Sequence, residues 1–351
     1  MAAMDDVPNE LLKAAYQRKP IYILKVPLLY GMWAATVAAL WALWKAQGPS
    51  ALFFVAGVAG AVLIANCIRG LGAVAHDAVH GNCSRSKRAS YWISLLCWAP
   101  TGMSVTLYTN YHLHHHRIAN TYPDVDNFVV TNYTRHPVLA KVLLLAVYTF
   151  FYPIYWLTQM FRFYMKRLTP MQRVLMNVEA IGWWSLVALA GWWMPGWVFA
   201  FAFALPFVFG SFLASVTSMI EHYEMLPGDD DSYSSRTYST KSHITNFIWN
   251  NVSYHNEHHK YPGIPWYNLR SFHEAAYPYY DDKVKAEVYP TMWGVAFKLW
   301  GRILAFDLAE HDARYKATDK VVEEGTLMVA PGIPVQTPER LVVDGQAARA
   351  A

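Results

Sequence analysis

Long runs of uncharged, apolar residues dominate this sequence and restrict the folds that it can adopt. Residues 180–220 contain no charged side chain, and a Met-Pro-Gly sequence near the middle favours a tight turn there. Residues 26–44 and 51–68 are also uncharged and are separated by a short segment that contains Gly and Pro. Because about 20 apolar residues in a helix span the hydrocarbon core of a bilayer, we expect two transmembrane hairpins, in residues 26–68 and 179–220.

The composition agrees with a membrane protein. Charged residues make up 15% of the chain, whereas about 25% is usual for a soluble domain, and the 16% aromatic content suits belts at a membrane–water boundary. Three cysteines are too few for a disulfide framework or a four-thiolate iron–sulfur site. The net charge of +4 is spread along the chain and predicts no nucleic-acid partner. These properties predict an all-α integral membrane protein.

Histidines are concentrated in three short windows that begin at His76, His112 and His255 and contain nine of the 14 histidines. Their spacings are HxxxH, HxxHH and HxxHH, and residues separated by three or four positions share one face of a helix. Neutral imidazole binds iron, zinc, copper and nickel. Repetition of this pattern beside hydrophobic hairpins predicts a metal site rather than a solvated histidine-rich loop.

The number of imidazoles narrows the type of metal site. Eight histidines fit the spacing, and we predict that they are metal ligands and catalytic residues. They are His76, His80, His112, His115, His116, His255, His258 and His259. A single zinc takes about four ligands, so this set predicts two metals, and the absence of a cysteine cluster favours non-haem iron with O₂ as co-substrate. His114 breaks the spacing and is not a predicted ligand. The candidate acceptors for imidazole N–H groups are Asp77, Asp124, Asp126, Glu221, Glu224 and Glu257. Asp77 and Glu257 lie inside the windows and are favoured.

The three histidine boxes, their order and their positions after successive hairpins resemble the membrane-bound di-iron fatty-acid desaturase and hydroxylase superfamily, over about residues 50–275. The sequences MIEHY from Met219 and YHNEHHKYPGIPW from Tyr254 are similar to bacterial acyl-lipid desaturases and to sphingolipid desaturases. The resemblance implies that His222 is a further metal ligand, that two iron ions are bound and that a fatty acyl chain is desaturated. Hydroxylation or ketolation of a lipid or carotenoid, and oxidative decarboxylation of a free fatty acid to a terminal alkene, remain alternatives on the same scaffold.

Electrons for such a reaction are expected from a separate protein. The sequence shows no haem-binding motif, cysteine cluster or convincing nucleotide-binding glycine motif, so a ferredoxin, a rubredoxin or a b-type cytochrome with its reductase is implied. The basic residues Arg85, Lys87 and Arg88 are interpreted mainly as positive-inside residues. A metal transporter is a less favoured reading, because ion pathways place ionisable residues within the membrane spans and these spans are almost free of them.

A joint metal site requires an even number of crossings between the second and third boxes. Residues 179–220 supply two, so the apolar residues 142–161 are predicted to be interfacial or re-entrant, within an interfacial segment 138–178. The expected topology has four crossings, with the active site and both termini cytoplasmic, in a bacterial inner membrane or the endoplasmic reticulum. Residues 1–25 are predicted to form an N-terminal cytoplasmic segment, and residues 317–351 a mobile tail. A helical cytoplasmic cap is predicted from two segments: residues 69–137, which contain boxes one and two, and residues 221–316, which contain box three.

Overall fold

A computed structural model describes residues 4, 6–121, 124, 126–225 and 231–311. This part of the chain is helical and contains no β-strand beyond isolated bridges at Thr237. The all-α prediction is therefore confirmed for the described residues. The predicted mobile tail, 317–351, lies outside them.

Thirteen helices, some containing π-type turns, organise the described residues. They are α1 (Asn9–Ala15), α2 (Lys25–Gln47), α3 (Ala51–Val79), α4 (Lys87–Trp98), α5 (Val105–Ile118), α6 (Pro137–Tyr164), α7 (Pro170–Trp193), α8 (Gly196–His222), α9 (His243–Ile248), α10 (His255–Lys260), α11 (Trp266–Ala276), α12 (Asp282–Ala286) and α13 (Met292–Leu304). Short 3₁₀ turns, such as Pro20–Leu24 before α2, connect several of them.

Five helices are long and apolar enough to cross a membrane: α2 with its preceding turn, α3, α6, α7 and α8. The pairs α2–α3 and α7–α8 contain the apolar runs of the two predicted hairpins and extend beyond them, to Val79 in α3 and to Pro170 in α7. Helix α6 contains the run that was predicted to be interfacial or re-entrant, and its length and composition do not distinguish it from the other four. Helix α7 begins at Pro170, well before the predicted hairpin boundary, because Thr169 and Gln172 form a capping box ahead of the apolar run.

Helix α3 connects the membrane region to the first histidine box. Its 29 residues extend about 43 Å, whereas the hydrocarbon core of a bilayer is about 30 Å thick, so one end projects beyond it and carries His76. The helix packs against α2, α4 and α8. A Cβ atom at Gly70 would lie 2.3 Å from the carbonyl oxygen of Ile248, so only glycine allows the segment before the third box to approach this closely.

Candidate metal centre

Four separate segments bring nine histidines together at one end of the helical bundle. His76 and His80 lie at the end of α3, and His222 is the last residue of α8. Helix α5 carries His112, His115 and His116, and α10 carries His255, His258 and His259. Seven of the nine are buried, and His80 and His116 are half-buried. The i, i+3, i+4 spacing therefore has the expected effect, since each box presents its imidazoles in one direction.

Five of these imidazoles form one compact group, with members from all three boxes. They are His76, His80, His112, His116 and His258, and each offers a nitrogen within 4.8 Å of the others. The Nε2 atom of His112 lies 2.9 Å from that of His80 and 3.1 Å from that of His116, which is 3.2 Å from that of His258. For a metal–nitrogen distance of about 2.1 Å, adjacent ligand nitrogens are about 3 Å apart, so this spacing fits a metal shell.

A second group lies directly beside the first. His115, His222 and His259 each offer a nitrogen within 4.8 Å of the others, and the Nε2 atoms of His222 and His255 are 3.1 Å apart. Nε2 of His259 is buried and has no hydrogen-bond partner among the described residues. A buried polar nitrogen without a partner is costly, and a bound metal would satisfy it. The donor set therefore fits a metal in this group too.

Burial favours the neutral form of six box imidazoles. It lowers the pKa of His80 to about 3. It also lowers, with help from neighbouring imidazoles, the pKa values of His112, His116, His255, His258 and His259 to well below the usual histidine value. Neutral imidazole is the form that binds metal. These six imidazoles are therefore in the form that coordinates metal near neutral pH.

A carboxylate pair orients one imidazole of the second group. Nδ1–H of His115 lies 3.1 Å from both carboxylate oxygens of Asp124 and from Oδ2 of Asp126. Asp124 also accepts the backbone N–H of Asn120 at 2.9 Å. Burial raises the pKa of Asp124, but its contacts with His115 and the backbone outweigh this and lower the pKa overall. Because Nδ1–H of His115 is engaged by Asp124, Nε2 of His115 faces the second imidazole group. A carboxylate behind the ring is the usual arrangement that orients and tunes a metal-binding histidine.

The two carboxylates favoured from the sequence have other partners, so that interpretation was wrong. Oδ1 of Asp77 accepts a hydrogen bond of 2.9 Å from the side chain of Asn82. Glu257 accepts hydrogen bonds from Thr237, His273 and Tyr280. Asp77 and Glu257 thus pair with groups other than the box imidazoles. They fix neighbouring segments in place.

His114 lies outside both imidazole groups, as its broken spacing predicts. Its Nδ1 atom is 2.5 Å from the hydroxyl of Tyr164, at the end of α6. The ring therefore points away from the groups formed by its neighbours on α5. Burial, reinforced by the positive charge of Arg167, lowers the pKa of His114 to about 4.

A cavity of about 160 Å³ adjoins both imidazole groups. Five predicted ligands border it: His76, His112, His115, His222 and His255. Its apolar wall includes Trp98, Met103, Pro153, Trp156 and Ala214, and its polar wall includes Arg69, Asp126 and Glu221. An alkyl chain in this cavity would lie beside the histidines and away from water, as expected of a site for a hydrophobic substrate.

Two carboxylates next to the site, the buried Glu221 and the half-buried Glu179, contact residues that are distant in the sequence. Glu221 accepts hydrogen bonds from Tyr238 at 2.7 Å and from Arg69 at 3.3 Å. Glu179, on α7, accepts hydrogen bonds from Tyr91, Ser104 and Thr106. Glu221 is one of the candidate carboxylates named from the sequence, whereas Arg69 and Glu179 are distinguished there only as charged residues at the edges of apolar runs. Charged residues at such depth usually have a partner.

The fold and the site together define a multi-pass, all-helical membrane protein with a histidine-rich site able to hold metal. The profile of the fatty acid desaturase family matches residues 51–291. The chain is 28% identical to a *Bos taurus* sphingolipid delta(4)-desaturase/C4-monooxygenase over 76% of this chain and 82% of the relative. It is 25% identical to a beta-carotene ketolase of a *Paracoccus* species over 66% of this chain and 87% of the relative.

The identity to a sphingolipid desaturase is higher over a shorter stretch of the chain. Over 18% of this chain and 17% of the relative, the identity to a *Mus musculus* sphingolipid delta(4)-desaturase is 42%. The chain belongs to the fatty acid desaturase family, as the three boxes led us to expect. It is a membrane oxidoreductase of lipid metabolism on a scaffold that supports desaturation as well as hydroxylation or ketolation. Iron is the metal of this family, and the histidine groups provide donors suited to it.

Proposed function

We propose that this protein uses O₂ and two iron ions to introduce a double bond into the acyl chain of a membrane lipid. The proposed iron ligands are His76, His80, His112, His115, His116, His222, His255, His258 and His259. The observation that carries the proposal is the convergence of these nine imidazoles, from four separate segments, in two adjacent groups, with five of the nine on the wall of one cavity. Nine nitrogens exceed the needs of one metal and divide into two adjacent groups.

The side chains of the protein hold the metals, orient the substrate and exclude water. When bound, the two irons supply the reduction of O₂ and the removal of hydrogen from an unactivated C–H bond, which no side chain can perform. The apolar wall formed by Trp98, Met103 and Trp156 binds the alkyl chain against the histidines. The same wall excludes water from the reacting carbons. Asp124 holds His115 in one orientation throughout.

The electron balance requires a second protein. Formation of one double bond removes two protons and two electrons from the substrate, and reduction of O₂ to two waters needs two further electrons and two further protons. We assign the two further electrons to a separate carrier: a ferredoxin, a rubredoxin or a b-type cytochrome with its reductase. Exposed basic residues that would suit an acidic carrier include Arg117, Lys166 and Arg167.

Four of the five long helices cross the membrane in this proposal, and α6 lies along the interface. The first part of α6 packs against Val130–Asn132 and α13, and its last turn packs against α5. Both ends thus contact segments assigned to the cap. If α6 crossed once, the second and third boxes would lie on opposite membrane faces and their histidines could not meet.

The active site and both termini face the cytoplasm in the proposed topology. Exposed Lys and Arg residues lie on the side of the histidine groups, including Arg85, Lys87, Arg88, Arg117, Lys166 and Arg167. The α2–α3 turn at the opposite end has Lys45 as its basic residue. This asymmetry favours a cytoplasmic cap by the positive-inside rule, in a bacterial inner membrane or the endoplasmic reticulum.

Hydroxylation or ketolation is the second candidate. The name of the *Bos taurus* relative includes both desaturase and monooxygenase, and the *Paracoccus* relative is named as a ketolase. Which product forms depends on how the chain lies relative to the metals. Decarboxylation of a free fatty acid would give a terminal alkene with one carbon fewer.

Lipid and hydrocarbon profiling by gas chromatography–mass spectrometry tests the proposal in host cells that express the full chain. We expect a new double bond in acyl or sphingoid chains with the wild type and none with His115→Ala. His114→Ala is the matched control, since His114 lies on the same helix but contacts Tyr164, and should retain the product. Hydroxylated lipid or a terminal alkene in place of the new double bond would overturn desaturation. Full activity in membrane-inserted His115→Ala would overturn the proposed site.

A further inference from the structure

Glu221 is a buried carboxylate at the edge of the second imidazole group. It precedes His222 in the last turn of α8, and its side chain is 11% exposed. Its oxygen atoms have different surroundings. Oε1 accepts the hydrogen bonds from the hydroxyl of Tyr238 and from Nη2 of Arg69, which fixes the plane of the carboxylate.

The second oxygen points toward the imidazoles. Oε2 of Glu221 lies 3.9 Å from Nε2 of His255. A carboxylate oxygen of Glu221, a nitrogen of His222 and a nitrogen of His255 all lie within 4.8 Å of one another. Nδ1–H of His222 donates to the carbonyl oxygen of Ser234 at 3.0 Å, so the Nε2 lone pair of His222 faces the same point. Three donor atoms therefore converge there.

The two imidazole groups differ in size, and Glu221 lies beside the smaller one. The first group contains five histidines. The second contains His115, His222 and His259, with His255 joined to it through His222, which makes four. Carboxylate oxygen and imidazole nitrogen are both suitable ligands for iron. A carboxylate in the second group would give each metal five protein donors.

Arg69 is itself braced, and this makes it a fixed support for Glu221. Its guanidinium carbon lies 5.6 Å from the ring centroid of Trp249, and Nε1–H of Trp249 donates to Oδ1 of Asn66 at 2.9 Å. Arg69 and Tyr238 thus both hold Oε1, and Oε2 is the oxygen that lies near Nε2 of His255. An anionic ligand held in this way reduces the net charge of a metal centre and tunes its potential.

We propose that Glu221 is a tenth protein ligand, which supplies Oε2 to the iron of the second group while Arg69 and Tyr238 hold Oε1. This inference rests on the proposed function, because it requires metal in the second group. It differs from the all-histidine shell predicted from the sequence. Tyr238 and Arg69 then act as positioning residues.

The test is iron titration of the purified, metal-stripped full chain, followed by metal analysis and Mössbauer spectroscopy. We expect Glu221→Gln to weaken the binding of one of two irons by about 10–100-fold or more and to change the spectrum of that iron alone. Glu224→Gln is the matched control, since Glu224 lies three residues later and is paired with Arg302 at 2.6 Å. That variant should bind iron like the wild type.

A second variant separates ligation from charge balance. If Glu221 only neutralised Arg69, the double variant Arg69→Gln/Glu221→Gln would recover wild-type iron affinity, and that result would overturn the proposal. We expect the double variant to remain weak at the second site, even though neither charge is left unpaired. Tyr238→Phe retains the carboxylate and should give a smaller loss of affinity. The iron count of the wild type tests the proposed function, and the difference between wild type and variants tests Glu221.

Discussion

Nδ1 of His273 lies 2.5 Å from Oε1 of Glu257, behind the third histidine box. Glu257 is fully buried, and its helical spacing places it on the face of α10 opposite His255, His258 and His259. Its carboxylate also accepts hydrogen bonds from the hydroxyls of Thr237 and Tyr280. Three groups from separate parts of the chain thus fix the rotation of α10 about its axis. That rotation decides where His255, His258 and His259 point.

The pair is charged, and this gives the fold a pH dependence. Burial acts to lower the pKa of His273, but the carboxylate of Glu257 outweighs it and raises the pKa above the usual value. Burial acts to raise the pKa of Glu257, and His273 and the hydrogen bonds outweigh it and lower the pKa. The stabilisation from His273 is therefore complete below the unfolded histidine pKa of about 6.5. It is lost as the pH rises through the higher folded value.

We expect His273→Gln to lower stability by about 3 kcal/mol at pH 5.5, as for removal of one partner of a buried ion pair. The difference from wild type should shrink as the pH rises above about 6.5. Thermal unfolding of both proteins in detergent, measured from pH 5.5 to 9, checks this. A difference that is constant over the whole range would show that the pair is not charged.

The histidine pattern could be predicted from the sequence because helical spacing is local. Within each box the i, i+3 and i+4 positions share a face regardless of the rest of the fold. The partners of these histidines could not be predicted in the same way. Asp124 reaches His115 only because the chain reverses after α5, where Asn120 adopts a φ of 63°. His273 lies sixteen residues from Glu257, on another helix, and no sequence spacing indicates that contact.

Hydropathy alone does not determine whether α6 crosses the membrane or lies along its interface. Length and apolar composition place α6 among the five candidate crossing helices, while the need for a joint site requires an even number of crossings between boxes two and three. A helix lying at the interface and one crossing the bilayer can share the same average hydropathy. What separates them is the contacts of their ends, and these depend on the tertiary fold.

Asp124→Asn should weaken iron binding by about 10–100-fold, the usual effect of removing the carboxylate behind a metal-bound histidine. Asparagine keeps the shape of the side chain but loses the charge that orients Nδ1–H of His115. Metal titration of the purified protein checks this. Asp77→Asn is the control, because Asp77 contacts Asn82, and its effect on iron affinity should be much smaller. Equal losses in both variants would contradict the role assigned to Asp124.

Glu179→Gln should destabilise the junction between α7 and the second box. Glu179 accepts hydrogen bonds from the hydroxyls of Tyr91, Ser104 and Thr106, and Ser104 is the N-cap of α5. Hydrogen bonds to a charged group contribute about 1.5–3 kcal/mol each, so we expect a loss of about 2 kcal/mol in thermal or denaturant unfolding. Glu274→Gln breaks an exposed pair with Arg270 and should change stability by less than about 1 kcal/mol.

The position of α6 can be tested with cysteines introduced at its two ends. Tyr133 is half exposed before α6, and Lys166 is exposed directly after it. If α6 lies along the interface, a membrane-impermeant thiol reagent should label Tyr133→Cys and Lys166→Cys from the same side, the cytoplasmic one. Gln47→Cys, in the exposed turn between α2 and α3, should be labelled from the other side. Labelling of the first two from opposite sides would show that α6 crosses, and the parity argument that unites the three boxes would then fail.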